Sequence, residues 1–207
     1  MVKADQTYCT LYLARHGQTD WNAQGITQGQ ADIPLNAEGI KQAQALRQIL
    51  KEIKFEAVFS SDLIRAKKTA EIIALERGMA AETTHFLRER RYGKFDGKPQ
   101  ELMQEFYNKW ERLSKKERLS YKPYENYETD EEIIGRYITF LREVAVLYLG
   151  KTVLIVSHGG VMRVLLNHLS EKIYFTNSIS NTAFIKLESD GVDFFIKELK
   201  GIKNPDE

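Results

Sequence analysis

Two short and almost wholly apolar runs constrain this chain most: Tyr-Cys-Thr-Leu-Tyr-Leu-Ala at residues 8–14 and Thr-Val-Leu-Ile-Val-Ser at Thr152–Ser157. Neither alternates apolar with polar, so each reads as a strand covered on both faces. A shorter run at 57–60 is a third. Helical patterns separate them. Asn36 stands as an N-cap before an inward stripe of Ile40, Ala43, Leu46, Leu50 and Ile53. Asp62 stands before Ala66, Ala70, Ile73 and Ala74, with Gly78 as the stop. Thr129-Asp-Glu-Glu132 is a capping box ahead of Ile134, Tyr137, Ile138, Leu141, Val144, Ala145 and Tyr148, and Gly150 ends that helix. The tail folds back around Ser189-Asp190-Gly191 as a hairpin. Strands alternating with helices predict an α/β fold: a mostly parallel sheet, helices on both faces, and a C-terminal hairpin.

No repeat, low-complexity tract or Pro/Gly/Ser-rich linker divides the 207 residues, so a single domain over 1–207 is expected. The segment 98–128 breaks the alternation. It is polar and aromatic, with Tyr107, Trp110, Tyr121, Tyr124 and Tyr127, and reads as a helical excursion or lid. It either carries substrate selectivity or covers the core with tyrosines.

With 30 Lys+Arg against 29 Asp+Glu the net charge is +1, which lacks the electrostatic footprint of a nucleic-acid binder. Cys9 is the single cysteine, and the 4 histidines show no metal-ligand spacing, so no metal or cofactor is called for. The first eight residues contain no apolar stretch fit for a signal peptide, and no run approaches the ~20 residues that cross a bilayer. A cytoplasmic protein without membrane partners is expected.

Ligands of open α/β sheets bind beyond the carboxyl ends of the strands. Arg15-His16-Gly17 follows the first strand, Ser157-His158-Gly159-Gly160 follows another, and Ser60-Ser61-Asp62-Leu63-Ile64-Arg65 follows the third. Two histidines and two arginines on one rim make a cationic pocket with a nucleophile candidate. A phosphoryl dianion matches it, because guanidinium offers a planar multidentate fork. Arg65 in a first helical turn opposes the macrodipole, which Asp62 or a bound anion would offset. Taken singly, an Arg-His-Gly turn or a histidine after a buried strand is ordinary structure.

Two other patterns fail on context. Gly150-Lys151-Thr152 has a relaxed phosphate-loop spacing, but it ends a helix and enters a strand. His158-Gly159-Gly160 lacks the Gly-x-Ser-x-Gly nucleophile that a hydrolase oxyanion segment requires. His85 and His168 read as structural or surface residues.

The combination of Arg15-His-Gly-Gln-Thr-Asp-Trp-Asn22, Gln28-Gly-Gln-Ala-Asp-Ile-Pro-Leu35, Ser61-Asp-Leu-Ile-Arg65, Leu87-Arg-Glu-Arg-Arg-Tyr-Gly93 and Val156-Ser-His-Gly-Gly-Val-Met-Arg163 resembles the histidine phosphatase superfamily, also called phosphoglycerate mutase-like. The resemblance runs from about residue 8 to 187 and is weakest over 98–128. It implies that His16 is the nucleophile that becomes phosphohistidine, and that Arg15, Arg65 and His158 complete the phosphate pocket. Glu89 would be the proton donor and acceptor, although Arg88, Arg90 and Arg91 flank it and compete for its carboxylate. Asn22, Gln28, Gly29, Tyr92 and Gly159 would line the phosphate or substrate.

The resemblance also bears on the branch. Gly160, where mutases commonly carry Asn, and the short chain resemble phosphatases. Pro99-Gln100 stands near where a mutase lysine would be, and Trp110 is followed by Glu111 and Arg112 rather than paired arginines. Glu89-Arg-Arg-Tyr-Gly93 looks more like the mutase loop. The expectation is a metal-independent phosphomonoester hydrolase acting on a small phosphate ester. A cofactor-dependent mutase, for which Arg90, Arg91, Lys98 and Arg112 are candidate cations, and a non-catalytic phospho-ligand sensor are the alternatives.

Overall fold

The computed structural model describes residues 7–170 and 178–203. Residues 1–6, read above for a leader, and the outer limits of the 1–207 span lie outside them. The apolar runs become β1 (Cys9–Arg15), β2 (Ala57–Ser61) and β4 (Thr152–Ser157), with a further strand β3 (Ala81–Thr84) and a C-terminal hairpin of β5 (Ile179–Ser189) and β6 (Phe194–Ile202). They form one six-stranded sheet in the order β3-β2-β4-β1-β5-β6. β3, β2, β4 and β1 run parallel, while β5 and β6 are antiparallel. The predicted single α/β domain is the fold observed.

Successive side chains of a strand point to opposite faces, and the core divides accordingly. Leu11, Leu13, Val153 and Ile155 pack with residues of α6 (Asp130–Leu147) and α7 (Gly159–Leu169). Tyr12, Ala14, Leu154 and Val156 pack with residues of α2 (Ala37–Ile49) and α3 (Ile64–Leu75). β1 and β4 are neighbours, yet the chain leaves β1 for one face and β4 for the other. Their carboxyl ends therefore flank a topological switch point, where open α/β sheets place ligands.

Most of the predicted helix signals hold. Asn36 Oδ1 accepts from Gly39 N at 2.8 Å, and Thr129 with Glu132 forms the capping box at the start of α6. Ala43, Leu46 and Leu50 are buried, but Ile40 is exposed. The inward position in the first turn of α2 belongs to Gly39 instead. A Cβ there would lie 2.0 Å from Gln18 O, because the loop after β1 rests directly on that turn.

Asp62 does not cap α3. Its carboxylate takes a two-pronged bond from Arg88, at 2.8 and 2.7 Å, a stronger charge-assisted geometry than a lone backbone amide offers. Asp32, from the long loop that precedes α2, accepts from Ile64 N at 2.7 Å in its place. β3 escapes sequence reading because Ala-Glu-Thr-Thr is an edge strand with no buried face.

The 98–128 segment is the expected helical excursion, with α4 (Gln104–Glu111) and α5 (Lys115–Ser120) preceded by a 3₁₀ turn at Gln100–Met103. A short α1 (Asp20–Ala23) lies in the loop after β1. The excursion has its own small core of Tyr92, Met103, Phe106 and Tyr127, separate from both faces of the sheet.

Candidate active site

His16 and His158 each follow the last registered pair of β1 and β4, Arg15 opposite Ser157. Parallel pairing thus brings the two imidazoles together, with ring centroids 5.1 Å apart. His16 is gripped on both sides: its N–H donates to Ser157 O at 3.0 Å, and its carbonyl accepts from Asn181 Nδ2 at 3.1 Å. Its Nδ1 lies 2.7 Å from Gly17 O. A carbonyl can only accept, so Nδ1 carries the proton and Nε2 keeps its lone pair. Burial, with Arg65 and Arg15 beside it, holds the His16 imidazole well below the ordinary histidine range. Burial does the same to His158, with the Arg65 guanidinium next in effect. Neither nitrogen of His158 has a hydrogen-bond partner among the described residues.

Arg65 is fully buried in the first turn of α3. Its guanidinium donates to Ala31 O at 2.6 Å and Gly29 O at 2.8 Å, and burial brings its pKa down to about 10. Arg15 donates to Ile179 O. The Nε of each arginine bonds to no described residue. A fully buried and a half-buried cation beside a neutral imidazole make a site for an anion that an imidazole can attack.

The three arginines around Glu89 do not compete for it. The Arg88 side chain goes to Asp62, that of Arg90 to Tyr127 and Asp130, and that of Arg91 to the Asn126 carbonyl, while the Arg91 amide donates to Glu128, which in turn binds Arg136. These bonds fasten the loop on both sides and leave the Glu89 carboxylate facing the cleft. There its Oε2 accepts from Gly160 N at 2.9 Å, in the first turn of α7.

Arg15, His16, Asn22, Gln28, Gly29, Arg65, Glu89, Tyr92 and Gly159 line one cleft of about 80 Å³. His158, fully buried and tilted against the His16 ring, is not among the residues that line the cleft. His85 stacks on Phe86, and His168 lies near the end of α7, both away from the cleft. None of Arg90, Arg91, Lys98 and Arg112 lines it. Among the described residues no group of three or more His, Cys, Asp and Glu converges as a metal site, and no helix is long and apolar enough to cross a membrane.

The family model of the histidine phosphatase superfamily, branch 1, matches residues 11–200. The chain belongs to this superfamily. It is 37% identical over 158 residues to the phosphatase PhoE of Bacillus subtilis strain 168, covering 76% of each protein. It is 36% identical over 175 residues to the metal-independent phosphoserine phosphatase of Arabidopsis thaliana, covering 78% of this chain and 69% of that protein. The crystal structure of phosphoglycerate mutase from Bacillus anthracis strain Sterne superposes with a TM-score of 0.80 at 26% identity, over 94% of this chain and 93% of that one. The histidine phosphatase relatives thus include both phosphatases and a mutase.

Sequence reading passed over Arg163, Gln100, Met103 and Tyr107, which also line the cleft. Arg163 had a usable signal, because it falls three and four residues after Gly160 and Gly159 on one helical face. Tyr107 had none, since nothing local distinguishes it from the other tyrosines of the excursion.

Proposed function

We propose that this histidine phosphatase superfamily member hydrolyses small phosphate monoesters through a phosphohistidine at His16. The observation that carries the reading is the neutral His16 ring, its proton fixed on Nδ1 by Gly17 O, beside the fully buried Arg65 and the half-buried Arg15. Nε2 attacks phosphorus in line as the ester P–O bond breaks. Glu89 acts as the general acid that gives a proton to the departing oxygen. Arg15, Arg65 and His158 meet charge on the three equatorial oxygens, and the amides at the start of α7 add their dipoles. Water then attacks the phosphohistidine, Glu89 takes back a proton, and Nε2 leaves as a free imidazole with release of inorganic phosphate.

Phosphatase is favoured over mutase by the cations. A mutase must retain a bisphosphate long enough to turn it over, yet Arg90, Arg91, Lys98 and Arg112 lie outside the cleft, and among the described residues only Arg163 joins Arg15 and Arg65 as a cation in its lining. The phosphatase names of PhoE and of the Arabidopsis protein agree, while the mutase name of the B. anthracis structure sustains the alternative.

The test is hydrolysis of p-nitrophenyl phosphate in EDTA, which should persist, be inhibited by orthovanadate as a transition-state mimic, and vanish in His16→Ala. Turnover that needs an added divalent ion removes the metal-independent reading, and absence of His16-dependent turnover favours a sensor. With 3-phosphoglycerate and 2,3-bisphosphoglycerate, phosphate release should outpace formation of 2-phosphoglycerate. Rapid interconversion without phosphate release assigns the chain to the mutases.

A further inference from the structure

The loop after β1 is fastened residue by residue to the two helices on one face of the sheet. Gly17 N donates to Thr69 Oγ1 of α3 at 3.1 Å, and Gln18 N donates to Gln42 Oε1 of α2 at 2.9 Å. Gln18 O accepts from Asn36 N at 3.0 Å, and Gln18 Oε1 accepts from Asn36 Nδ2 at 3.0 Å. Glycine on both surfaces permits this close seating. A Cβ on Gly17 would stand 2.4 Å from Gly39 O, and one on Gly39 would stand 2.7 Å from Gln18 N. Gln42 follows Gly39 by about one helical turn, which brings its side chain to the loop.

One of these bonds bears on the nucleophile. The peptide group joining Gly17 to Gln18 carries the carbonyl that His16 Nδ1 donates to at 2.7 Å, and also the N–H that donates to Gln42. The C=O and N–H of a trans peptide point in opposite directions, and no cis peptide bond occurs among the described residues. Gln42 on one side therefore aims the Gly17 carbonyl at the imidazole on the other. A peptide whose N–H is engaged is also a better acceptor at its oxygen, because hydrogen bonds in a chain polarise one another. Gln42 is half-buried and does not line the cleft, so it reaches the chemistry through this peptide.

We infer that Gln42 is a positioning residue for the nucleophile: the relay from Gln42 Oε1 through the Gly17–Gln18 peptide to His16 Nδ1 keeps the imidazole proton on Nδ1 and leaves Nε2 free to attack. When Nε2 takes the phosphoryl group the ring becomes an imidazolium, and the same relay meets the charge on its Nδ1–H. The kinetic consequence rests on the hydrolase reading of the same cleft.

The experiment uses the full-length chain as wild type, as Gln42→Met, which fills similar space with only a weak acceptor, and as Gln42→Glu, which keeps the oxygen. Hydrolysis of p-nitrophenyl phosphate gives kcat/KM, and inhibition by inorganic phosphate reports the arginines. Nitrogen NMR of protein labelled in its histidine rings reads the tautomer of His16, whose signals are those lost in His16→Ala. Gln42→Met should lower kcat/KM tenfold or more, leave the phosphate inhibition constant within threefold, and turn His16 into a mixture of tautomers. Gln42→Glu should return kcat/KM to within threefold of wild type and His16 to its Nδ1–H form. A folded Gln42→Met within threefold of wild-type kcat/KM overturns the inference, and so do equal losses in Gln42→Met and Gln42→Glu. A wild-type His16 protonated on Nε2 overturns it too, as does phosphate inhibition weakened as much as kcat/KM, which would mark a general disturbance of the site. Should Gln42→Met not fold, Gln42→Ala takes its place under the same thresholds, since alanine suits a half-exposed helix position. If wild type shows no His16-dependent turnover, the hydrolase reading falls, and the tautomer comparison alone decides the role of Gln42.

Discussion

Glu89 and Gly160 are fitted to one another: Oε2 of the carboxylate accepts from the Gly160 amide at 2.9 Å, and a Cβ on residue 160 would fall 2.4 Å from Oε1. The same Cβ would be 2.8 Å from Tyr92 Oη. Glycine at this position holds the carboxylate against the start of α7 and keeps it in the cleft.

Gly160→Ala should therefore displace Glu89 rather than unfold the protein, since both crowded atoms end movable side chains. Stability should fall by less than about 2 kcal/mol. The kcat for glycerol 3-phosphate should fall about tenfold or more. Thermal melts and steady-state kinetics check both halves, and normal kcat in a well-folded variant would detach Gly160 from the placement of Glu89.

Glu89→Gln keeps the shape and an acceptor for the Gly160 amide but has no proton to give. An aryl phosphate leaves with little protonic help, whereas an alkyl phosphate needs it. The rate on glycerol 3-phosphate should drop by about 10²-fold or more, and that on p-nitrophenyl phosphate by much less. Equal losses on the two would take the acid role away from Glu89.

Asp32 caps α3 from outside the helix, and Arg65 sits in that first turn. Asp32→Ala should cost about 1 kcal/mol, the usual value of a lost N-cap, and Asp32→Asn less because an acceptor oxygen remains. Urea unfolding reads this as a shift in midpoint at constant slope. Indistinguishable midpoints for the two variants would assign the contribution of Asp32 to charge rather than to capping.

Both cleft histidines have lowered pKa values, so the unfolded chain binds more protons than the folded one below the unfolded imidazole value of about 6.5. Their contribution is complete above that pH and is lost as pH falls toward the folded values. The slope approaches about 1.4 kcal/mol per pH unit for each histidine. Asp96 acts in the opposite sense. Burial raises its pKa from 3.8 to about 6, so its effect on stability worsens as pH rises through that interval. Asp96→Asn should make the acid-side loss steeper between pH 6.5 and 4, and raise stability at pH 7. Melting temperatures across pH 4–8 test this, and a flatter profile in Asp96→Asn would contradict it.

The sequence alone determined the sheet and its reactive rim. Apolar runs of strand length declare their burial locally, and Arg15-His16, Arg65 and His158 follow those runs directly, so their shared edge follows from chain order and the rule for parallel sheets. Asn36, Thr129 and Gly78 likewise act within a few residues of themselves. Contacts made across long loops were decided only by tertiary structure. Asp62 looked like a cap until Arg88, 26 residues on, came within reach. Three arginines seemed to crowd Glu89 until Asp62, Asp130 and the Asn126 carbonyl drew their side chains elsewhere. Arg163 was visible as a letter, but its place in the cleft lining against Tyr107 appears only once the tyrosine-rich excursion packs beside α7. Short-range rules fix backbone conformation and which face is buried. The partner a charge finds depends on which distant segment offers it the better geometry in the folded state, and one-dimensional spacing does not encode that.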